Sequence, residues 1–149
     1  MPSVITDKKT GTKVRFFFED KKFALKNRTL LKAFIEFLFK KEKKQLSSIN
    51  YIFCSDKMIL DINSRFLNHA NFTDIITFDL SETNSTVAEI YISIDRVKEN
   101  AKKFGYSFES ELHRVIFHGA LHLCGYKDKN KIVRKEMRGK EDYYLSLYL

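Results

Sequence analysis

The sequence predicts an α+β fold of the α/β-like kind: a mostly parallel, mixed four-stranded sheet with one antiparallel strand, packed with about five helices. Four short segments rich in β-branched and aromatic residues recur along the chain, and stretches of helical apolar spacing separate the first three. The segment SETNST, which joins the third and fourth, has the length and chemistry of a hairpin loop. Because helical crossovers make strands parallel and hairpins make them antiparallel, the expected sheet is mixed.

The first half of the chain is predicted to alternate between strand and helix. Strands are expected over residues 13–19 and 49–55, which are aromatic and β-prone. Between them, Asn27 is expected to cap a helix that continues to about Lys43. The predicted apolar stripe of this helix comprises Leu30, Leu31, Phe34, Phe37 and Leu38. A second helix is expected over residues 56–67.

The second half is predicted to complete the sheet and to add three helices. The strands are expected over 75–80 and 87–93, and the helices over about 94–104, 107–124 and 131–147. Ser93 or Asp95 is expected to start the first of these helices, and Ser107 the second. Gly105 and Gly125 are expected to end them.

The chain is interpreted as one domain over residues 1–149, because it shows no repeat, low-complexity tract or flexible linker. No tract is apolar enough to span a membrane, and the N-terminal stretch has no apolar h-region, so a secretory signal is not expected. Cys54 and Cys124 lie in apolar runs, which predicts reduced core thiols and a cytoplasmic protein, with a single disulfide as the alternative. His113 is expected to lie on the surface or to pack.

The charge of the chain indicates an anionic partner. Its formal net charge is +8, from 27 lysines and arginines against 19 aspartates and glutamates. Nucleic acid is the commonest such partner, although charge also serves solubility. The run KKEKK (40–44) ends a predicted helix, where cations interact favourably with the helix dipole. The stronger candidate for an anion contact is a second basic cluster: Lys127, Lys129, Lys131, Arg134 and Lys135.

Two histidines, His118 and His122, lie four residues apart in the predicted fourth helix. At about 100° per residue they are about 40° apart on the helix surface, so both imidazoles can reach one ion. Glu111 and Arg114 share their side of the helix, at the edge of the apolar face. Two imidazoles beside further polar groups favour a metal site over the alternative, which is a buried pair with satisfied hydrogen bonds.

A catalytic metal ion needs a third protein ligand and an open position for water. Gly125 allows the chain to turn back after the helix, so that Asp128 can supply a carboxylate. The resulting spacing matches the ligands of metzincin peptidases, but Gly119 stands where those enzymes carry their glutamate base. Two imidazoles and a carboxylate suit one zinc ion per chain, and nickel would also bind.

The same segment resembles a known family. HGALHLCGY (118–126) matches the start of the pattern H-G-x-L-H-L-x-G-Y-D-H of the YbeY family, bacterial endoribonucleases involved in ribosomal RNA maturation. TDIITF (73–78) resembles the family's T-D-V-L-S-F, AEIYIS (88–93) its G-D-I-x-I-S, and EMRGKEDYYL its last helix. The resemblance covers about residues 62–145, and its motifs are together highly specific.

Two departures from the family pattern concern the site. The family's third ligand is usually histidine and falls on Asp128, with Lys127 where aspartate is expected. Oxygen from aspartate is an accepted zinc ligand, so the site is expected to survive. An arginine of the family motif L-N-x-x-Y-R, thought to assist at the active site, falls on Leu67. The candidate cations to replace it are Arg114, Arg65 and His69.

The resemblance implies a single-strand-specific, metal-dependent endoribonuclease that acts in 16S ribosomal RNA 3′-end maturation and in ribosome biogenesis and quality control. Its partners would be single-stranded RNA and the ribosome, with the basic cluster holding phosphates. Thr73 and Asp74 either shape the wall of the cleft or cap the turn before a strand. The second interpretation is a non-catalytic, ribosome-associated RNA-binding module with a structural metal. A metal-dependent peptidase comes third, because it lacks the glutamate.

Overall fold

Four strands form one mixed sheet within residues 13–66 and 73–149, the part of the chain that this computed structural model describes. They are β1 (Val14–Phe18), β2 (Gln45–Cys54), β3 (Ile75–Asp79) and β4 (Ser85–Ser93). Their order across the sheet is β1-β2-β4-β3. Strand β2 pairs in parallel with β1 and β4, whereas β3 pairs antiparallel with β4, so the predicted mixed sheet is confirmed.

Five helices surround the sheet in the described ranges, as predicted. They are α1 (Arg28–Lys41), α2 (Asp56–Phe66), α3 (Ile94–Phe104), α4 (Phe108–Leu123) and α5 (Lys131–Tyr148). The side chains of Ser93, Ser107 and Asn130 cap α3, α4 and α5 by accepting a backbone hydrogen bond. Gly105 and Gly125 follow α3 and α4 with φ of 76° and 109°, a conformation that favours glycine. None of these helices is long and apolar enough to cross a membrane.

The structure differs from the sequence-based expectations in three details of α1 and β2. Asn27 precedes α1, but its backbone is left-handed and its side chain makes no capping hydrogen bond. Leu30 and Phe37 of the predicted stripe are exposed, because the helix buries a neighbouring face that carries Ile35 and Phe39. Strand β2 begins earlier than predicted, because its additional residues pair with the start of β4.

The two faces of the sheet bury different helices. Tyr51 and Ile90 belong to the larger core, which the sheet forms together with residues of α1, α3, α4 and α5. Ile52 and Tyr91 lie on the opposite face, where a smaller cluster packs against Ile59 of α2. The larger core therefore fixes α4, the helix that carries both predicted histidine ligands.

Helix α4 packs against the sheet at Gly119, where little space remains for a side chain. A Cβ atom at Gly119 would lie 2.8 Å from Cδ1 of Ile90 and 3.0 Å from Cδ1 of Ile75, so glycine permits the approach. The Tyr51 hydroxyl donates a hydrogen bond of 2.9 Å to the carbonyl oxygen of Ile116. These contacts hold the polar side of α4 beside the start of β3.

Three residues singled out in the sequence lie in the interior. Cys54 and Cys124 are buried and free, as expected for core thiols. His113 is buried as well, and its ring centroid lies 5.0 Å from that of Tyr148. Of the two roles considered for His113, the structure therefore shows packing.

Candidate active site

A cleft of about 580 Å³ opens between α4 and α5, beside the start of β3 and the loop that joins the two helices. Its polar lining comprises Thr73, Asp74, Glu111, Arg114, His118, Asp128, Arg134, Lys135, Arg138 and Glu141. The side chains from α4 recur at helical spacing along one side, and those from α5 do the same along the other. The cleft thus collects carboxylates, a histidine and cations from four separate segments.

His118 is held at the centre of this cleft by two carboxylates. Its Nδ1 lies 2.7 Å from Oε2 of Glu141, which is almost fully buried. Its Nε2 lies 3.5 Å from Oδ2 of Asp128. Burial disfavours the charged imidazolium, but the hydrogen bond and charge of Glu141, with the charges of Asp74 and Asp128, outweigh it and raise the pKa of His118.

The two contacts of His118 define which ring nitrogen faces the cleft. An ionised carboxylate can only accept, so Nδ1 donates to Glu141 and the lone pair of the neutral ring lies on Nε2. That lone pair faces the oxygen of Asp128, so a proton on Nε2 or a metal ion between the two electron-rich atoms would be stabilised by both. Metal-binding histidines commonly donate their other N–H to a carboxylate, as His118 does.

His122 lies one turn beyond His118 on α4. Its Nδ1 is buried and has no hydrogen-bond partner in the described part of the chain. Across residues 13–66 and 73–149, no three His, Cys, Asp or Glu side chains form a group arranged to hold a metal ion. The structure therefore brings His118 and Asp128 together without His122. In donor chemistry the three residues suit zinc, and the unpartnered nitrogen of His122 leaves that ring available.

Arg114 links the two helices that form the walls of the cleft. Its Nη1 lies 3.1 Å from Oε1 of Glu141, and its Nη2 lies 2.8 Å from Oδ1 of Asp142. Burial lowers the pKa of the guanidinium, but the hydrogen bonds that it donates to these two carboxylates raise the pKa overall. Glu141 is therefore shared between Arg114 and His118, and this orients the imidazole.

Two further carboxyl groups in the cleft bind protons more tightly than usual. Burial raises the pKa of Asp74, and the positive charge of His118 only partly opposes this effect. Burial likewise raises the pKa of Glu111, against the charge of Arg114. Thr73 donates from its hydroxyl to the carbonyl oxygen of Ile75 and lines the cleft, so residues 73 and 74 shape its wall.

The predicted basic cluster divides between the cleft and its surroundings. Arg134 and Lys135 line the cleft from α5. Lys127, Lys129 and Lys131 are exposed on the adjoining loop and first turn of α5 and do not line it. Only two of the five residues in the predicted basic cluster therefore line the cleft.

The other candidate cations lie elsewhere. Arg65 is exposed on α2 and pairs with Asp61, away from the cleft. Leu67, where the family arginine is expected, and His69 lie outside the described residues. Arg114 is the one of the three proposed replacements that the described structure places in the cleft.

Sequence reasoning did not identify Glu141 and Arg138 as site residues, although both line the cleft. The signal is the spacing of charged residues along α5, where Arg134, Arg138 and Glu141 follow one side of the helix. Such a pattern is also typical of a solvated helix face. Only the packing of α5 against α4 distinguishes the two.

A family model described as Endoribonuclease YbeY matches residues 15–148 of this chain. The chain belongs to the YbeY family. Endoribonuclease YbeY of Cytophaga hutchinsonii is 48% identical over 133 residues, which are 89% of this chain and 93% of the relative. That of Flavobacterium psychrophilum is 45% identical over 126 residues, 85% and 90% of the two chains. The solution structure of a Thermotoga maritima protein has a TM-score of 0.63 at 35% identity, and the match covers 91% of this chain and 88% of that one.

Membership of the YbeY family confirms the resemblance drawn from the histidine segment. It also gives the glycine of that segment a physical role, because Gly119 lets α4 approach β3 and β4. A glutamate at this position, as a peptidase requires, would place its Cβ 2.8 Å from Cδ1 of Ile90. This position therefore faces the sheet, and it lacks the glutamate base that the peptidase interpretation needs.

Proposed function

We propose that the protein is a cytoplasmic, metal-dependent endoribonuclease that cleaves single-stranded RNA. Its role would be in 16S ribosomal RNA 3′-end maturation and in ribosome biogenesis and quality control. The observation that carries this proposal is the cleft in which Nε2 of His118 faces Asp128 at 3.5 Å below a rim of arginine and lysine. Family membership supports it, as do the relatives, which are named endoribonucleases.

The metal of this proposal is one zinc ion per chain, with nickel as a second candidate. His118, His122 and Asp128 would hold it, since two imidazoles and a carboxylate form a common zinc donor set. When bound, zinc supplies Lewis-acid polarisation to a phosphodiester.

The protein's own side chains position His118, bind the RNA and hold a proton. Glu141 accepts from Nδ1 of His118 and fixes the ring, while Arg114 compensates the buried charge of Glu141. Arg134 and Lys135 bind the phosphates of the RNA strand electrostatically. Asp74, whose pKa is raised by burial, is placed to hold a proton on its carboxyl group at the cleft wall.

The test is RNA cleavage by zinc-loaded protein compared with chelator-treated protein. Single-stranded RNA is expected to be cut and a matched duplex to be spared, and His118→Ala is expected to remove the activity. The product ends report the chemistry: a 2′,3′-cyclic phosphate indicates attack by the RNA hydroxyl, and a 5′-phosphate indicates attack by water. Binding of RNA without any cleavage would overturn the proposal in favour of the RNA-binding module.

A further inference from the structure

A half-exposed tyrosine lies beside the cleft and contacts two arginines that line it. Tyr106 occupies the turn between α3 and α4, and its side chain is 43% exposed. Its hydroxyl accepts a hydrogen bond of 3.2 Å from Nη2 of Arg138. The guanidinium carbon of Arg114 lies 5.8 Å from the centroid of its ring. Both arginines line the cleft.

The position of Tyr106 is fixed from both sides. Its backbone N–H donates to the carbonyl oxygen of Ala101 at 2.9 Å, and Ser107 caps the next helix. The Arg114 that faces the ring is itself fixed by hydrogen bonds to Glu141 and Asp142. The ring is therefore presented to solvent on a rigid support, so a ligand that stacks on it does not have to order it first.

The chemistry of this arrangement matches one class of ligand. Proteins that bind single-stranded nucleic acid pair a positive groove with aromatic side chains on which bases stack. Here the cations are Arg134, Lys135 and Arg138 on the α5 side of the cleft, and the aromatic side chain is Tyr106.

We propose that Tyr106 is a stacking platform for an unpaired RNA base next to the cleft, and that it favours single-stranded over duplex RNA. A base in a duplex is stacked between its neighbours and cannot place a free face on the ring. The inference rests on the proposed endoribonuclease function and deepens it, since it names a residue that selects the substrate.

The chain contains no tryptophan, which allows a direct optical test. In Tyr106→Trp the new indole is the only one in the protein. Its fluorescence is expected to be quenched by single-stranded RNA and to stay unchanged with a duplex of the same sequence. Binding that shifts the anisotropy of labelled single-stranded RNA without any quenching would overturn the inference, because the RNA would then bind away from this ring.

A matched control distinguishes this ring from tyrosines in general. Tyr143, on α5, is 40% exposed, and the Nζ of Lys41 lies 5.6 Å from its ring centroid. Tyr106→Ala is expected to weaken binding of single-stranded RNA about tenfold, and Tyr143→Ala to leave it unchanged. Tyr106→Phe keeps the ring without the bond to Arg138 and is expected to restore most of the affinity. Equal effects of the two alanine variants would count against the platform.

A third experiment measures binding of RNA from which single bases have been removed. In the parent protein, removal of the stacked base is expected to weaken binding, and in Tyr106→Ala the same removal is expected to have no further effect. If removal of the base weakened binding equally in the parent protein and in Tyr106→Ala, the inference would be overturned. Failure of this test in a protein that still cleaves RNA leaves the proposed function intact, whereas a parent protein that neither binds nor cleaves RNA rejects both.

Discussion

His118 donates a hydrogen bond of 2.7 Å from Nδ1 to Oε2 of Glu141, and this bond joins α4 to α5 across the cleft. Glu141 is almost fully buried, and its other oxygen accepts from Arg114. The carboxylate therefore fixes both the rotation and the tautomer of the imidazole and leaves Nε2 towards Asp128. Positioning of this ring depends on a residue from another helix.

Glu141→Gln is therefore expected to weaken zinc binding about 10- to 100-fold, the usual effect of losing a carboxylate that orients a metal-binding histidine. Glutamine has one acceptor and must divide it between His118 and Arg114. Zinc affinity is measured by competition with a chelator of known strength. Glu136→Gln, an exposed position on the same helix, is the control and is expected to bind zinc like the parent. Equal affinities for the two variants would contradict the role of Glu141.

Removal of a proposed ligand tests the metal site itself. His118→Ala and His122→Ala are each expected to abolish stoichiometric zinc while unfolding remains cooperative. Asp128→Ala is expected to weaken binding, because two protein ligands remain, and Asp128→His is expected to keep the ion. Metal content is measured by elemental analysis and the fold by circular dichroism. If Asp128→Ala held zinc as tightly as the parent, the third ligand would be another group.

Salt dependence separates the cleft rim from the exposed lysines. On a single strand, log K falls with log salt with a slope of about −0.7 for each phosphate contact. Charge reversal of Lys135, which lines the cleft, is expected to flatten this slope more than reversal of Lys129 or Lys131. Lys57→Glu, on α2, is the control and is expected to leave the slope close to that of the parent. An unchanged slope in Lys135→Glu would make that lysine a solvated side chain.

The sequence predicted the fold because its signals are local. Helix ends at Gly105 and Gly125 follow from the need for positive φ, and the caps at Ser93 and Ser107 follow from short side-chain oxygens. The buried face of α1 was predicted only in part, because Leu31 and Leu38 are buried whereas Leu30 and Phe37 are apolar but exposed. Which of two adjacent apolar stripes packs inward depends on the angle at which the helix meets the sheet.

The part of the site that spacing predicted most directly lies on one helix and in the loop that follows it. His118 and its contact with Asp128 follow from helical spacing and a glycine turn. Glu141 and Tyr106 come from other elements, and local sequence does not encode their approach to α4. Their roles depend on tertiary packing, which a pattern of spacing does not contain.

The carboxylate of Glu42, which lies outside the cleft, makes the stability of the protein depend on pH. Glu42, at the end of α1, accepts hydrogen bonds from Tyr126 at 2.8 Å and from Tyr144, and lies 3.5 Å from Nζ of Lys140. Burial opposes its ionisation, but these hydrogen bonds and the charge of Lys140 outweigh burial and lower its pKa below the ordinary 4.5. Folding therefore favours the ionised form.

A lowered folded-state pKa stabilises the protein above the unfolded-state pKa, and this contribution is lost as the pH falls through the folded-state value. Glu42→Gln is expected to lower the free energy of unfolding by about 2 kcal/mol at neutral pH, since hydrogen bonds to charged groups contribute this order of magnitude. The variant is also expected to lose less stability than the parent on acidification. Urea unfolding at neutral pH and below pH 4.5 measures both effects. Parallel pH curves for the two proteins would show that Glu42 is not responsible.

Replacement by alanine is expected to change stability in opposite directions at two glycines of the described helices. A Cβ at Gly119 would lie 2.8 Å from Cδ1 of Ile90, whereas a Cβ at Gly139 would meet no atom within 4 Å. Gly119→Ala is expected to destabilise the protein by about 1–3 kcal/mol through overpacking. Gly139→Ala is expected to stabilise it by about 0.5–1 kcal/mol, because glycine is costly in the interior of a helix.

The overpacking at Gly119 has a nearest partner, Ile90, which makes it testable by a second substitution. Ile90→Val removes the nearer of the two Cδ1 atoms that the new methyl group would strike and leaves that of Ile75 at 3.0 Å. The double variant Gly119→Ala, Ile90→Val is therefore expected to be more stable than the sum of the single effects predicts, a coupling that urea unfolding of all four proteins measures. Additive effects would show that α4 does not owe its position to the missing side chain at Gly119. Because α4 carries His118, zinc affinity should fall in Gly119→Ala and recover in the double variant, which would connect the packing of this helix to the geometry of the site.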